Sequence, residues 1–180
     1  MVMNAPTTTR RWLLGAAGSG LALCPLAGWP LAAPGSTGAP VILSITGAVR
    51  LHNDRDTAAF DLPLLEALPR SSFATRAPWY PQPRKFTGVL VRDLLVAVGA
   101  SDTRGTTLTA VALNDYRITI PANDLTRNGA LLAYWLDDKP IAVRDKGPLL
   151  IIYPFDERPE LRTALHYSRA IWQLRSLVVK

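Results

Sequence analysis

The chain has 180 residues, 20 basic against 14 acidic side chains, a formal charge of +6 and a single cysteine. Charges of both signs are interspersed without a long like-charged block and no RNA-binding aromatic motif is present, which argues against a nucleic-acid reader; a mild positive bias matches a small anionic ligand or an acidic partner. His52 and His166 are the only histidines, no His-x-x-x-His or His-Glu pairing exists, and Cys24 stands alone, so zinc has no site of standard spacing.

Thr9-Arg10-Arg11-Trp12-Leu13-Leu14 opens onto a small-residue apolar run from Gly15 to Ala33. That is the pattern of a twin-arginine export leader, an ordinary secretory leader with a charged start being the alternative. Gly18, Gly20, Pro25 and Pro30 interrupt the run, which falls short of the ~20 unbroken apolar residues of a stable membrane helix. A cleaved leader over residues 1–33 is therefore expected rather than an anchor. Leu31-Ala32-Ala33 is a small-residue cleavage site with Pro34 awkwardly beside it, and a cut nearer Ala39 is the alternative. Leu23 is too bulky before Cys24 for lipoprotein processing. The expected location is periplasmic. The mature chain then has no cysteine, hence no disulfide, and no stable membrane span. The twin-arginine route suits proteins that fold, and often load a cofactor, before export.

Losing a leader that carries Arg10 and Arg11 and no acid lowers the charge to about +4. What remains, about 145 residues, suits one compact domain. Residues 34–40, Pro-Gly-Ser-Thr-Gly-Ala-Pro, form a linker, and the domain spans 41–180. Val41 to Val49 alternates and is β-branched, a strand signal. Asp61 caps a short helix with Leu62, Leu65 and Leu68 on one face, Pro63 being tolerated in its first turn. Arg70 to Lys85, rich in Pro, Ser and Arg, reads as an irregular loop or short strand. Leu90, Leu94, Leu95 and Val98 stand at helical spacing before Gly99, giving the clearest helix of the chain.

Strands are expected at Thr107–Leu113 and Arg117–Ile120 around the turn Asn114-Asp115-Tyr116, then a helical turn through Asp124 to Arg127. Ala130–Leu136 and Ile141–Val143 read as a hairpin around Asp137-Asp138-Lys139-Pro140, and the apolar Leu149–Tyr153 as a buried strand. A helical turn at Glu160–Ala164 and a strand at Ile171–Val179 close the domain. Many short strands with a few brief helices give an α+β, β-rich fold with short helices around mixed sheets, not an alternating parallel one.

Arg144-Asp145-Lys146-Gly147-Pro148 is the constellation with most chemistry. Two cations flank a carboxylate, and a glycine that permits close backbone approach precedes a buried strand, as in loops that present donors to phosphate. A charged surface turn is the plainer account. Asn114-Asp115-Tyr116 has Asx-turn composition, His52-Asn53 follows the first strand, and Arg92-Asp93 sits on the solvent face of its helix. Trp135, Tyr134, Tyr153 and Phe155 read as core. No nucleophile elbow, paired catalytic carboxylates or haem motif appears.

Phe86-Thr87-Gly88-Val89-Leu90-Val91-Arg92-Asp93-Leu94-Leu95, then Ala112 to Tyr116, then Leu136 to Ile141, then Arg144 to Pro154 resembles, in order and spacing, the molybdopterin-binding domain of the sulfite oxidase type. The resemblance runs from about Ile42 to Val179, and the compact form is that of the small exported single-domain members. It implies an α+β, β-rich fold, a mononuclear molybdenum pterin, and oxygen-atom transfer coupled to two-electron redox with a separate haem or membrane partner. It implies further that Arg144, Lys146 and Arg169 hold the pterin phosphate next to Gly147, that Arg76 and Trp79 line the pocket, and that Asn114, Asp115 and Tyr116 form its rim. His52 and Asn53, read from their own position, either donate to a pterin or an oxyanion or are ordinary surface-loop residues. The family binds molybdenum through one cysteine, and Thr75 stands at that position. A threonine hydroxyl is a poor substitute for a soft thiolate. Two readings follow: an exported domain that binds molybdopterin or a related anion and works as a two-electron oxidoreductase, or a cofactor-free periplasmic sensing or interaction module. No residue is assigned a catalytic role.

Overall fold

A computed structural model of the chain describes residues 38–100, 102 and 104–180. The leader, Arg10-Arg11, Cys24 and the first part of the linker lie outside the described residues.

The first strand, β1 (Leu43–Gly47), buries Leu43 and Ile45 completely. It is followed by β2 (Ala58–Phe60) and α1 (Leu62–Glu66), where Asp61 caps the helix by accepting the Leu64 N–H at 2.9 Å. The segment expected as an irregular loop or short strand is a long hairpin, β3 (Arg70–Ala77) and β4 (Tyr80–Leu90), turning at Pro78-Trp79. Pro81 and Pro83 are compatible with it because β4 pairs with its other neighbour only from Phe86 to Leu90. Their missing N–H groups fall where no ladder asks for them.

The periodic apolar positions at 91, 94, 95 and 98 form and bury the face of α2 (Val91–Ala97). Next come β5 (Thr107–Ala112), β6 (Arg117–Pro121), α3 (Ala122–Arg127) and β7 (Leu131–Leu136). The hairpin after β7 is tighter than expected. Asp137 and Asp138, at φ 47 and 62, make a two-residue turn that brings the chain back at once as β8 (Lys139–Pro140). Pro140 has no N–H to extend the ladder, so the expected strand at 141–143 gives way to a single 3-10 turn at Val143–Asp145. The buried strand β9 (Leu150–Ile152) follows, then a 3-10 turn at Pro159–Leu161, α4 (Ala164–Arg169) and the closing strand β10 (Leu174–Val179).

The strands of the described residues form two five-membered sheets. One runs β2-β1-β10-β5-β6, with β1 and β10 parallel and the other pairs antiparallel. The other runs β3-β4-β7-β8, with β9 sharing the free side of β7 beyond β8. Gly88 sits at a register shift between β4 and β7, where a Cβ would lie 1.9 Å from the Leu132 carbonyl oxygen; no side chain fits there. A single core cluster joins the buried faces of both sheets and the helices. The sheets are stitched at one seam, where Ile151 N–H donates to Ile171 C=O at 2.8 Å and Leu174 N–H to Leu149 C=O at 2.9 Å. This is the expected α+β, β-rich architecture. The loops before β9 and before β10 meet at the seam and carry the site.

Candidate functional site: a basic cleft and an aromatic groove at the seam

The 3-10 turn before β9 exposes its charges. Arg144, with a side chain 88% exposed, lies 3.6 Å from the Asp145 carboxylate. With Tyr80, Arg84, Lys139 and Lys146 these residues line a cleft of about 530 Å³. Four cations face it against one carboxylate. Arg84 is held by Asp137 at 2.5 Å. Burial pushes the Tyr80 hydroxyl above its ordinary value, and Arg84 partly offsets this. It therefore stays protonated and donates to the Asp145 carbonyl at 3.2 Å.

Lys146 ends the turn in the left-handed region at φ 77. Gln173, at φ 55, does the same in the facing loop, and its N–H donates to the Lys146 carbonyl at 2.9 Å. Two left-handed non-glycine residues bonded to each other are costly and persist only because both loops hold them. The result places the Lys146 ammonium 4.2 Å from the centroid of the Trp172 ring. Trp172 belongs to a second concavity, a groove of about 210 Å³ whose walls include Asn114, Tyr116, Tyr167 and Ser168. Lys146 thus lines the cleft and touches the groove through the Trp172 ring.

The positions expected to form a site are distributed as follows. Arg144 and Lys146 line the cleft, and Asn114 and Tyr116 line the groove. Asn114 makes the expected Asx turn, accepting the Tyr116 N–H at 3.2 Å, while the Asp115 carboxylate accepts from Arg175 at 2.5 Å. Gly147 is needed for a different reason than a ligand's approach: a Cβ there would lie 1.9 Å from the Ile141 carbonyl oxygen. The backbone N–H groups of Asp145 and Gly147 donate to the Ala142 carbonyl, and that of Lys146 to Val143. The loop therefore offers an anion side-chain charge, not backbone donors. His52 is exposed in the loop after β1 and lines neither concavity, and the Asn53 amide is consumed by both backbone groups of Ala59. Trp79 is half-buried at the β3–β4 turn, its Nε1 without a partner.

Arg169 is also engaged elsewhere. Asp124 on α3 receives it at 3.1 Å, together with the Tyr153 hydroxyl at 2.8 Å, Asn128 at 2.9 Å and His166 Nε2 at 3.3 Å. The Asp124, His166 and Arg169 side chains are all only 14–16% exposed, so this is a clip between α3 and α4 rather than a free cation at a phosphate. Tyr80, Arg84, Lys139 and Tyr167 enter the site without an expectation behind them. Arg84 and Tyr80 lay in the segment read as irregular, and only the β3–β4 hairpin carries them to the turn before β9.

The implied cofactor can be tested against the chain's own donors. Thr75 is completely buried on β3; its hydroxyl accepts the Asp156 N–H at 3.0 Å and donates to the Arg76 carbonyl at 3.3 Å. Asp156 in turn accepts the Arg76 N–H at 3.0 Å and lies 3.7 Å from the Arg76 guanidinium. No group of three or more His, Cys, Asp or Glu side chains among the described residues could hold a metal ion. Thr75 therefore offers molybdenum neither a soft thiolate nor an exposed hydroxyl.

No family model matches the chain, and no curated protein matches it. Among solved structures it is similar to the sulfane dehydrogenase SoxCD from Paracoccus pantotrophus, with a TM-score of 0.56 and 16% identity. The match covers 76% of this chain and 37% of that one. The chain therefore spans well under half of that enzyme's length, and the two share the α+β fold of this domain.

Proposed function

We propose that the chain is an exported binding domain on a sulfite-oxidase-type scaffold that holds an organic phosphate with a flat ring, and that it does so without a protein ligand to molybdenum. The phosphate sits among Lys139, Arg144 and Lys146, and the ring lies in the groove beside Trp172. The pterin phosphate of molybdopterin is the ligand that the resemblance supplies, and a related aryl phosphate has the same chemistry. One observation carries this reading: Lys146 faces the basic cleft while its ammonium caps the indole of the adjoining groove. Two-electron chemistry is the weaker reading, because the hydroxyl at position 75 is spent inside the protein. The bound state would be read by a periplasmic or membrane partner.

Calorimetry with phenyl phosphate and inorganic phosphate tests the reading. Phenyl phosphate binds more tightly than phosphate, both affinities fall as salt rises, and Lys146→Ala weakens phenyl phosphate roughly tenfold, the worth of one charge-assisted hydrogen bond. Failure of the wild-type protein to bind either probe overturns it. Elemental and pterin analysis of protein purified from its own periplasm adds a second arm. Pterin without metal supports the reading, and one molybdenum per chain overturns its metal-free part.

A further inference from the structure

Thr75 and Asp156 are 81 positions apart in the chain, and two hydrogen bonds join Asp156 to Thr75 and its neighbour Arg76. The Asp156 N–H donates to the Thr75 hydroxyl, and the Arg76 N–H donates to the Asp156 carboxylate, both at 3.0 Å. Two backbone donors are satisfied reciprocally, as in a capping box but between remote segments. Arg162 reinforces the pair. Its guanidinium reaches the Asp156 carboxylate at 2.5 Å and donates to the Phe155 carbonyl at 2.8 Å. The segment after β9 is thereby tied to the outer strand β3 on one side and to the turn before α4 on the other.

Phe155, within this tied segment, is 1% exposed, and its ring centroid lies 4.9 Å from that of Tyr167 on α4. Tyr167 is a wall of the aromatic groove. A continuous chain of packed and bonded groups thus runs from Thr75 through Asp156 and Phe155 to Tyr167.

We infer that Thr75 is a positioning residue: with Asp156 it forms a clasp that sets Phe155, and through Phe155 the Tyr167 wall of the groove. The position where the sequence resemblance calls for a metal ligand is here a structural clasp. Its hydroxyl has no surface to offer an incoming group, and its proton and one lone pair are already engaged. The metal chemistry and the clasp compete, because a side chain turned to bind a metal would release the partly buried Asp156 N–H and lose that hydrogen bond. The part of this inference that concerns ligand affinity rests on the proposed organic-phosphate site; the clasp itself does not.

Three variants test it. Thr75→Val keeps the shape and removes the hydroxyl, Thr75→Ser keeps the hydroxyl, and Thr75→Cys puts a weak sulfur acceptor in the same place. The clasp predicts that amide exchange of α4 accelerates about tenfold in Thr75→Val, the loss of one hydrogen bond, and returns to the wild-type rate in Thr75→Ser. It predicts weaker phenyl phosphate binding in Thr75→Val with inorganic phosphate unchanged, since only the ring touches the groove. The thiol of native Thr75→Cys stays closed to Ellman's reagent, and the variant takes up no molybdenum when produced alongside the cofactor. Unchanged α4 exchange in Thr75→Val, or prompt thiol reaction or one molybdenum per chain in Thr75→Cys, overturns the inference. If Thr75→Val does not fold, the exchange and thiol measurements on Thr75→Cys decide it alone. If wild-type protein binds neither probe, the organic-phosphate reading fails while α4 exchange still decides the clasp.

Discussion

Gly147 shows how one position can be demanded by the backbone around it rather than by a ligand. Its N–H is bound to the Ala142 carbonyl at 2.9 Å, and the Ile141 carbonyl fills the place of a Cβ. The contact is backbone against backbone, so no side chain can swing aside. Gly147→Ala must therefore move the turn that carries Arg144 and Lys146, at a cost of about 2 kcal/mol, the usual scale of overpacking. Thermal unfolding should show a lower melting temperature, and phenyl phosphate affinity should fall with it. An unchanged melting temperature would mean that the turn is soft. Thr75 is the counterpart in the side chains. A hydroxyl in a completely buried place is explained by its two partners, the adjacent Arg76 and the remote Asp156.

At the scale of elements, α4 illustrates how a short helix with no fully buried residue is kept in place. Its cap Thr163 accepts the His166 N–H at 3.3 Å, and its last turn carries His166 and Arg169 to Asp124 on α3. Tyr153 donates to the same carboxylate from below. Burial pushes the Tyr153 hydroxyl far above its ordinary value of 10.0, and the Asp124 charge adds to the effect. A phenol raised in the folded state contributes stability that is whole below about pH 10 and is lost as the pH rises beyond it, because only the unfolded chain gives up the proton. Alkaline unfolding of the wild-type protein should therefore steepen above about pH 10. Tyr153→Phe, which has no proton to give up, should show a shallower alkaline limb, measured by denaturant unfolding across pH. A limb of equal slope in both proteins would show that Tyr153 is not the titrating group. The β3–β4 hairpin makes the complementary point. Its composition, rich in Pro, Ser and Arg, resembles a loop, yet it pairs over nearly its whole length because its prolines fall beyond the reach of β7.

At the scale of the molecule, two sheets meet at a seam, and the loops at that seam gather charge and aromatic surface that lie apart in the chain. No helix among the described residues is long and apolar enough to cross a membrane. The leader read at residues 1–33 gives a direct test of destination. Replacing Arg10→Lys and Arg11→Lys together should leave the full-length precursor in the cytoplasm if the twin-arginine route is used, whereas an ordinary secretory leader would tolerate the pair. Fractionation of the native host followed by immunoblotting reads the outcome.

The local pattern by itself determined the elements whose signal is local. The helix at 91–97 follows from leucines at helical spacing, the buried strand at 150–152 from an apolar run, and the cap at Asp61 from one oxygen three residues ahead of an N–H. It also singled out Arg144, Lys146, Asn114 and Tyr116, because charges and Asx turns are legible in a few consecutive residues. Only the tertiary structure decided which of these residues share a surface. Lys146 meets Trp172, Arg169 is claimed by Asp124, and Thr75 is claimed by Asp156. Those partners are separated by 26 or more positions in the chain. Whether a charge or a hydroxyl is free to meet a ligand depends on what the fold brings within about 3 Å of it, the reach of a hydrogen bond, and no local spacing encodes that.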